Sequence, residues 1–216
     1  MKIISVTGTA SGVGKTTVVR FLLQHLDDFS ALKITTKHEG SCTRHSDCNI
    51  CETMVYPYKV TIDPLQINQE GKDTALFKNA GARKVVWLQT HSECLKTGID
   101  EALTHFGEYD FVLVEGNSFL HTHNADICIL VTTPRETKIK RSTREIISKI
   151  DIAVINKYND DPQDGITQTQ ERLHQIGCYA PIFIINPLQP DCTPNEVLLN
   201  HIKEMIGQPV SSWSER

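Results

Sequence analysis

The chain has 216 residues, of which 39% are hydrophobic and 22% are charged, a composition typical of a single globular domain with one substantial core. A formal charge of −4 supplies no broad positive field, so we expect neither nucleic acid nor an anionic membrane surface as a partner. There is no run of eighteen apolar residues and no signal-peptide pattern, which predicts a cytoplasmic protein. A small molecule or a protein is the expected partner.

A glycine-rich turn follows the first predicted strand. Apolar residues lead into the segment V-T-G-T-A-S-G-V-G-K-T-T, residues 6–17, and an amphipathic helix pattern follows it. Strand, loop, Gly-Lys-Thr-Thr and helix in this order are what a phosphate-binding loop requires. The strict motif has a glycine where this chain has Thr9, a mild departure. The sequence therefore predicts that a nucleotide is bound by these residues: Gly12, Val13, Gly14, Lys15, Thr16 and Thr17.

Each predicted ligand in this loop has a chemical reason. The glycines let backbone N–H groups turn toward an anion, and the start of the helix adds partial positive charge. Lys15 reaches the outer phosphates, and the hydroxyl of Thr16 is a ligand for Mg²⁺. We therefore predict a site for a Mg²⁺–nucleoside triphosphate complex.

The second predicted strand, residues 31–36, is followed by a segment with little periodicity. We interpret residues 41–68 as a lobe inserted into the domain of residues 1–216, with a possible short strand at 55–62. Four potential metal ligands in this lobe are spaced three residues apart: Cys42, His45, Cys48 and Cys51. Seven cysteines, an odd number, in a reducing compartment favour metal ligation over disulfides. Zinc, an iron–sulfur cluster and unconnected surface thiols all remain open as interpretations.

Helices and short apolar strands alternate through the rest of the chain. We predict helices at 73–80, 94–105, 138–149, 163–175 and 195–206, and strands at 84–88, 109–115, 126–131, 152–156 and 182–185. Short, nearly wholly apolar strands that alternate with helices predict an α/β fold. The expected architecture has three layers, with a mostly parallel sheet covered by helices on both faces. Ligands of such folds bind at the carboxyl ends of the strands.

Two of these strands end in polar residues that suit a nucleotide site. Glu115 ends the strand at 109–115, where its carboxylate would bind Mg²⁺ directly or through water. Asn156 and Lys157 end a later strand and begin a pattern similar to the guanine-binding Asn-Lys-x-Asp motif, but Asn159 replaces the aspartate. An amide offers only one acceptor to guanine, whereas the neighbouring Asp160 would supply a carboxylate if it took the place of Asn159, so both GTP and ATP remain open. We predict a base-binding loop at 156–157 and three catalytic residues: Lys15, Thr16 and Glu115.

Several of these motifs resemble known families. The phosphate loop resembles that of the SIMIBI class of P-loop NTPases, and Val6-Thr-Gly-Thr with Val13-Gly-Lys-Thr is similar to dethiobiotin synthetase. The segment E-G-K-D-T-A-L-F-K-N-A-G-A, residues 70–82, resembles molybdopterin-guanine dinucleotide biosynthesis protein B, as do Lys37-His38 and Leu113-Val-Glu-Gly. Segments at 125–127, 138–140 and 151–157 are similar to the urease and hydrogenase nickel-insertion GTPases.

The resemblances imply a function in metal-cofactor assembly or delivery. We expect Mg²⁺-dependent binding and slow hydrolysis of GTP or ATP by a homodimer that serves a client enzyme, most specifically in molybdenum cofactor (molybdopterin guanine dinucleotide) biosynthesis. Two alternatives remain. One is an ATP-dependent synthetase or kinase of the dethiobiotin type, acting on a small carboxylate or carbamate bound near Thr36 and Lys37. The other is a nucleotide switch controlled by zinc or an iron–sulfur cluster.

Overall fold

A computed structural model of the chain describes residues 1–37, 56–158, 161, 163–189 and 193–209. The strands in chain order are β1 (Lys2–Gly8), β2 (Phe29–Lys37), β3 (Tyr58–Thr61), β4 (Val85–His91), β5 (Phe111–Glu115), β6 (Ile127–Thr132), β7 (Ile152–Asn156) and β8 (Ile182–Ile185). The helices are α1 (Lys15–His25), α2 (Pro64–Ile67), α3 (Asp73–Asn79), α4 (Leu95–Leu103), α5 (Phe119–Thr122), α6 (Arg141–Glu145), α7 (Gln163–Gln175) and α8 (Thr193–Ile206).

The eight strands form one sheet in the order β3-β4-β2-β5-β1-β6-β7-β8. Seven of them are parallel, and β3 pairs antiparallel with β4 at one edge. The central strand β1 lies between β5 and β6, so the loop after β1 emerges between the carboxyl ends of its two neighbours. The sheet order therefore places the predicted phosphate loop at the middle of the edge where α/β folds bind ligands.

Helices cover both faces of the sheet. On one face, Leu22 of α1, Phe77 of α3 and Ile202 of α8 belong to the largest buried cluster, together with Ile4 and Val6 of β1. On the other face, Ile99 of α4 and Phe119 of α5 pack in a second cluster, and α7 contributes to a third. Successive residues of a strand point to opposite faces, so the nearly continuous apolar strands supply both cores. This is the predicted α/β P-loop NTPase architecture.

Three local differences from the sequence predictions have physical causes. The helix predicted at 138–149 is replaced by α6 and a 3₁₀ turn at Ile147–Lys149. The backbone N–H of Lys140 donates to the carbonyl of Thr9 in the phosphate loop at 2.9 Å, so the residues before Arg141 are extended rather than helical. The sequence pattern of the first helix fades near Asp27 and Asp28, but α1 ends at His25 because Leu26 is extended. Short α2, capped by the side chain of Asp63, was not predicted.

The lobe predicted at 41–68 falls partly outside the described residues. Its later part contributes β3, close to the short strand predicted at 55–62, and then α2. The cysteine-containing segment at 42–51 lies in the range that the structure does not describe, so its interpretation stays a prediction. Among the helices of the described ranges, none combines the length and the apolar character that crossing a membrane demands.

Candidate nucleotide-binding site

The phosphate loop leads into a helix start that is open to an anion. Helix α1 begins at Lys15, after Gly14 in the left-handed conformation with φ of +86°; no side chain caps it, and its first turn contains no acidic residue. The first N–H groups of a helix have no intrahelical acceptor and carry partial positive charge. The start of α1 therefore supplies donors and positive potential suited to a phosphate.

The departure from the strict motif is explained by Gly8 and Thr9. A Cβ atom added at Gly8 would lie 2.8 Å from Cγ2 of Val13 and 3.0 Å from Cγ of Lys15, so only glycine allows the loop to fold back this closely. The hydroxyl of Thr9 hydrogen-bonds Oγ1 of Thr132 at 3.0 Å, and its N–H donates to the carbonyl of Val131. The close-approach glycine has thus moved by one residue, and Thr9 anchors the loop to β6.

Neighbouring segments also hold the loop in place. Asn117, just after β5, donates from Nδ2 to the carbonyl of Gly8 at 2.8 Å and accepts from the N–H of Gly8 at 3.0 Å. The buried hydroxyl of Thr143 donates to the same carbonyl at 2.9 Å, and Nζ of Lys140 donates to Oγ of Ser11 at 2.8 Å. The loop conformation is therefore fixed by the protein, which lowers the entropic cost of binding a ligand.

Thr16 and Glu115 lie side by side at the edge of this loop. The hydroxyl of Thr16 lies 3.1 Å from Oε2 and 3.3 Å from Oε1 of Glu115. Glu115 ends β5, which pairs in register with β1, and is only 2% exposed. A hydroxyl and a carboxylate that converge beside a phosphate-binding loop are oxygen ligands of the kind Mg²⁺ prefers. The donor set therefore fits the ion that the sequence predicted.

Lys33 completes a largely buried group of charges behind Glu115, of which Asp73 is the most exposed member. From the middle of β2, its Nζ lies 2.7 Å from Oε1 of Glu115 and 2.6 Å from Oδ2 of Asp73, the first residue of α3. Burial by itself would lower the pKa of Lys33, but the two carboxylates together outweigh it and raise the pKa above its ordinary value. Lys33 therefore stays charged at neutral pH and neutralises Glu115.

On the other side of the loop, the side chain of Asn156 packs against Gly14. Its Nδ2 lies 3.4 Å from the carbonyl of Val13 and 3.2 Å from the hydroxyl of Tyr158. A Cβ atom at Gly14 would lie 2.1 Å from this Nδ2, so glycine is required here for space as well as for φ. Asn156 is fully buried, and its Oδ1 has no hydrogen-bond partner within the described ranges. The residue predicted for the base loop thus contacts the phosphate loop directly.

The other predicted residues occupy the following places. Gly12 is exposed at the tip of the loop with φ of +79°, Val13 is buried, and Thr17 is half-buried in the first turn of α1. Nζ of Lys15 donates to the carbonyl of Ala10 at 3.3 Å, across the loop. Lys157 follows β7, and its N–H donates to the carbonyl of Ile185.

Within the ranges described, no group of three or more His, Cys, Asp or Glu side chains is placed to bind a metal ion.

The structure adds residues to the site that the sequence did not predict, among them Lys33, Asp73, Asn117 and Thr143. A signal for Lys33 was present, because a lysine in the middle of an apolar strand must find a buried counter-charge. Asp73 was part of the segment quoted for its family resemblance, but its pairing with β2 is a long-range contact. Asn117 follows Glu115-Gly116 without a pattern of its own, so its bonds to Gly8 become visible only in the fold.

No protein-family model matches the sequence, and no curated protein matches it. The fold is nevertheless shared with solved structures. HypB from Helicobacter pylori, solved in complex with nickel, superposes with a TM-score of 0.62 at 16% identity, covering 100% of this chain and 92% of that one. A Cyanothece McdA variant, solved in complex with ATP, superposes with a TM-score of 0.50 at 14% identity, covering 97% of each chain. At these identities the likeness concerns the fold, which is that of the α/β P-loop NTPases.

Proposed function

We propose that this protein binds and slowly hydrolyses a Mg²⁺–nucleoside triphosphate at residues 8–17, and that this cycle drives the assembly or delivery of a metal cofactor. The observation that carries the nucleotide part is the meeting of Thr16 and Glu115 beside an uncapped helix start. A structural glycine turn would need neither the buried carboxylate nor the open N–H groups. The arrangement instead supplies both a phosphate cradle and oxygen ligands for a divalent ion.

The residues of the chain would divide the work as follows. The loop amides and the start of α1 bind phosphate oxygens, and Lys15 reaches the outer phosphates. Thr16 and Glu115 would hold Mg²⁺, which when bound neutralises charge that develops on the phosphates. Asn117 and Thr143 keep the carbonyl and N–H of Gly8 occupied, so the loop keeps its shape whether or not phosphate is bound. Attack by water on the outer phosphate is the reaction this site suits.

Base recognition would involve Asn156 and Lys157 without a strong choice between GTP and ATP. Asp161 is the acidic residue that the structure describes in the segment after Lys157. One of its oxygens accepts from Nε of Arg135, and the other accepts from the N–H of Tyr158 at 2.7 Å. Each oxygen of this carboxylate already accepts a hydrogen bond from the protein, which reduces the accepting capacity left for the two donors of guanine. Parallel titrations with GTP and ATP test this, and a difference in Kd greater than about 100-fold would exceed what a single amide contact supplies.

The metal-cofactor part rests on two supports. The fold is shared with HypB, which was solved in complex with nickel, and residues 70–82 resemble molybdopterin-guanine dinucleotide biosynthesis protein B. Molybdopterin guanine dinucleotide is therefore the first cofactor to test, with a homodimer as the expected functional form. The predicted zinc or iron–sulfur ligands Cys42, His45, Cys48 and Cys51 would bind a structural ion or the cargo. Metal analysis and the visible spectrum of anaerobically purified protein separate these roles.

A synthetase of the dethiobiotin type is a second candidate, favoured by a pair of hydroxyls. Oγ1 of Thr36, near the carboxyl end of β2, lies 2.7 Å from Oγ of Ser118, just after β5. With Lys37 adjacent in sequence, such a pair suits a small anionic substrate near the outer phosphate. Phosphate release from ATP that appears only when a small carboxylate or carbamate is added would favour this candidate over the cofactor role.

The variant Lys15→Ala tests the nucleotide part. Removing a charged hydrogen-bond donor to phosphate is expected to weaken Mg²⁺–nucleotide binding about 10- to 100-fold in calorimetric titrations. The exposed Lys138 provides a matched control, and Lys138→Ala should bind like the wild type. Unchanged affinity of Lys15→Ala would contradict the phosphate role of this loop.

A further inference from the structure

Lys33 forms ion pairs with both Glu115 and Asp73. These two pairs connect the predicted Mg²⁺ ligand at the end of β5 with the first residue of α3. Lys33 is central in β2 and pairs in register with Glu115 on β5. Its side chain is 14% exposed, that of Glu115 is 3% exposed, and that of Asp73 is 35% exposed. At this depth in a parallel sheet an apolar residue would pack better than a lysine. Packing alone therefore does not explain Lys33.

We propose that Lys33 is a resident counter-cation of Glu115 with which a divalent ion must compete, and that Asp73 sets the strength of this competition by sharing the lysine. The proposal rests on the proposed function, because it concerns the carboxylate assigned there to Mg²⁺. Lys33 is thus a positioning residue: it acts on the metal through Glu115 and through its own charge, and it has no assigned contact with substrate.

Charge and geometry support this role. One oxygen of Glu115 contacts both Lys33 and Thr16, and the other contacts Thr16. A second cation that approaches this carboxylate is attracted by Glu115 and repelled by Lys33. Without bound nucleotide the lysine already satisfies Glu115, so a divalent ion gains little by binding alone. Nucleotide phosphates would add negative charge and so favour binding of the divalent ion at Glu115 in spite of Lys33. Metal binding would therefore depend on bound nucleotide.

Asp73 is suited to receive the lysine because its helix is fixed. Phe77 of α3 is fully buried in the main core, and the hydroxyl of the neighbouring Thr74 donates to the carbonyl of Ile67 at 2.8 Å. Nζ of Lys33 already lies within 2.7 Å of both acids, so a small shift transfers it from one to the other. Asp73 therefore weakens the hold of Lys33 on Glu115 without moving itself.

The proposal predicts opposite effects for the two partners. Lys33→Met removes the competing cation and should tighten Mn²⁺ binding about tenfold. Asp73→Asn leaves Lys33 entirely on Glu115 and should weaken Mn²⁺ binding several-fold. In the double variant the effect of Asp73→Asn should fall below about twofold, because its route through Lys33 is gone. Asp27→Asn, which removes an exposed carboxylate just beyond the far end of α1, should stay within about twofold of the wild type.

Mn²⁺ replaces Mg²⁺ so that free and bound ion can be counted by electron paramagnetic resonance, with and without a saturating non-hydrolysable triphosphate. A purely structural Lys33 would lower the affinity in both single variants, and equal signs would overturn the proposal. If Lys33→Met does not fold, as judged by circular dichroism, Asp73→Asn decides: unchanged or tighter Mn²⁺ binding overturns it. A wild-type protein that binds no Mn²⁺–nucleotide overturns the proposed function itself, a distinguishable result.

Discussion

Glu115 at the end of β5 and Asp161 in the segment after β7 are both buried carboxylates, and they differ in the groups that donate hydrogen bonds to them. Glu115 is 2% exposed and Asp161 is 6% exposed, and each is paired with a basic side chain. Asp161 accepts from Arg135 and from the backbone N–H of Tyr158, one donor to each oxygen. Glu115 accepts from Lys33, which is shared with another acid, and from the hydroxyl of Thr16.

The difference separates a structural acid from one that can exchange partners. A buried carboxylate must be fully compensated, and a backbone N–H is a donor that cannot turn away. The partners of Glu115 can both be redirected, because a hydroxyl rotates and Lys33 has a second carboxylate within 2.6 Å. These contacts support the proposal that Glu115 exchanges ligands, whereas Asp161 holds the segment after β7 through Tyr158.

Of the three variants that follow, Glu115→Gln should have the largest effect. Replacing the carboxylate by an amide removes a charged ligand, so the ratio of nucleotide Kd values without and with Mg²⁺ should fall about 10- to 100-fold. Calorimetric titrations in the presence of Mg²⁺ and of a chelator measure this ratio. Retention of the full Mg²⁺ effect would exclude Glu115 as a metal ligand.

Asp161→Asn should give the complementary result with a smaller effect. The amide has only one acceptor oxygen for the two donors from Arg135 and Tyr158, so the free energy of unfolding should fall by about 1–2 kcal/mol. In a chain of this size that corresponds to a Tm lower by roughly 2–8 °C. Calorimetric melting measures Tm. The ratio of nucleotide Kd values without and with Mg²⁺ should equal that of the wild type. A lost Mg²⁺ effect with unchanged Tm would invert our assignment of the two acids.

Arg135→Met should have the smallest effect of the three. The side chain of Arg135 is 53% exposed, whereas that of Asp161 is 0% exposed. Water at the place of the lost guanidinium would only partly replace its attraction to the buried carboxylate, so the free energy of unfolding should fall by about 1 kcal/mol. Asp161 keeps its bond from Tyr158 in this variant. Chemical denaturation measures the difference, and a loss as large as that of Asp161→Asn would show that the arginine, rather than the backbone, holds the carboxylate.

Much of the fold was predictable because the strands are short, apolar and separated by amphipathic helices. The boundaries of β7, α7 and β8 agree with the sequence predictions, and the parallel sheet followed from their alternation. The segment at 138–149 was mispredicted because its first residues bond to the phosphate loop, a contact between segments more than 100 residues apart. Local pattern does not contain such information.

The site residues also fall into two groups, those that the sequence predicts and those that only the fold brings together. The loop and Glu115 were recognisable because their chemistry demands particular residues at fixed spacing. Lys33 lies on a strand whose pattern is apolar, and its two acids come from β5 and α3. The neighbours of Gly8 likewise come from after β5 and from α6. Which side chains surround a motif depends on sheet order, and sheet order is a property of the whole fold.

A crystal structure with a non-hydrolysable nucleoside triphosphate and Mg²⁺ would show whether the phosphates and the ion bind at this loop. We predict β- and γ-phosphates on the amides of residues 12–17, with the ion bound by the hydroxyl of Thr16 and reached by Glu115 directly or through water. A triphosphate bound elsewhere, with this loop empty and Glu115 still paired to Lys33 and Thr16, would contradict the account.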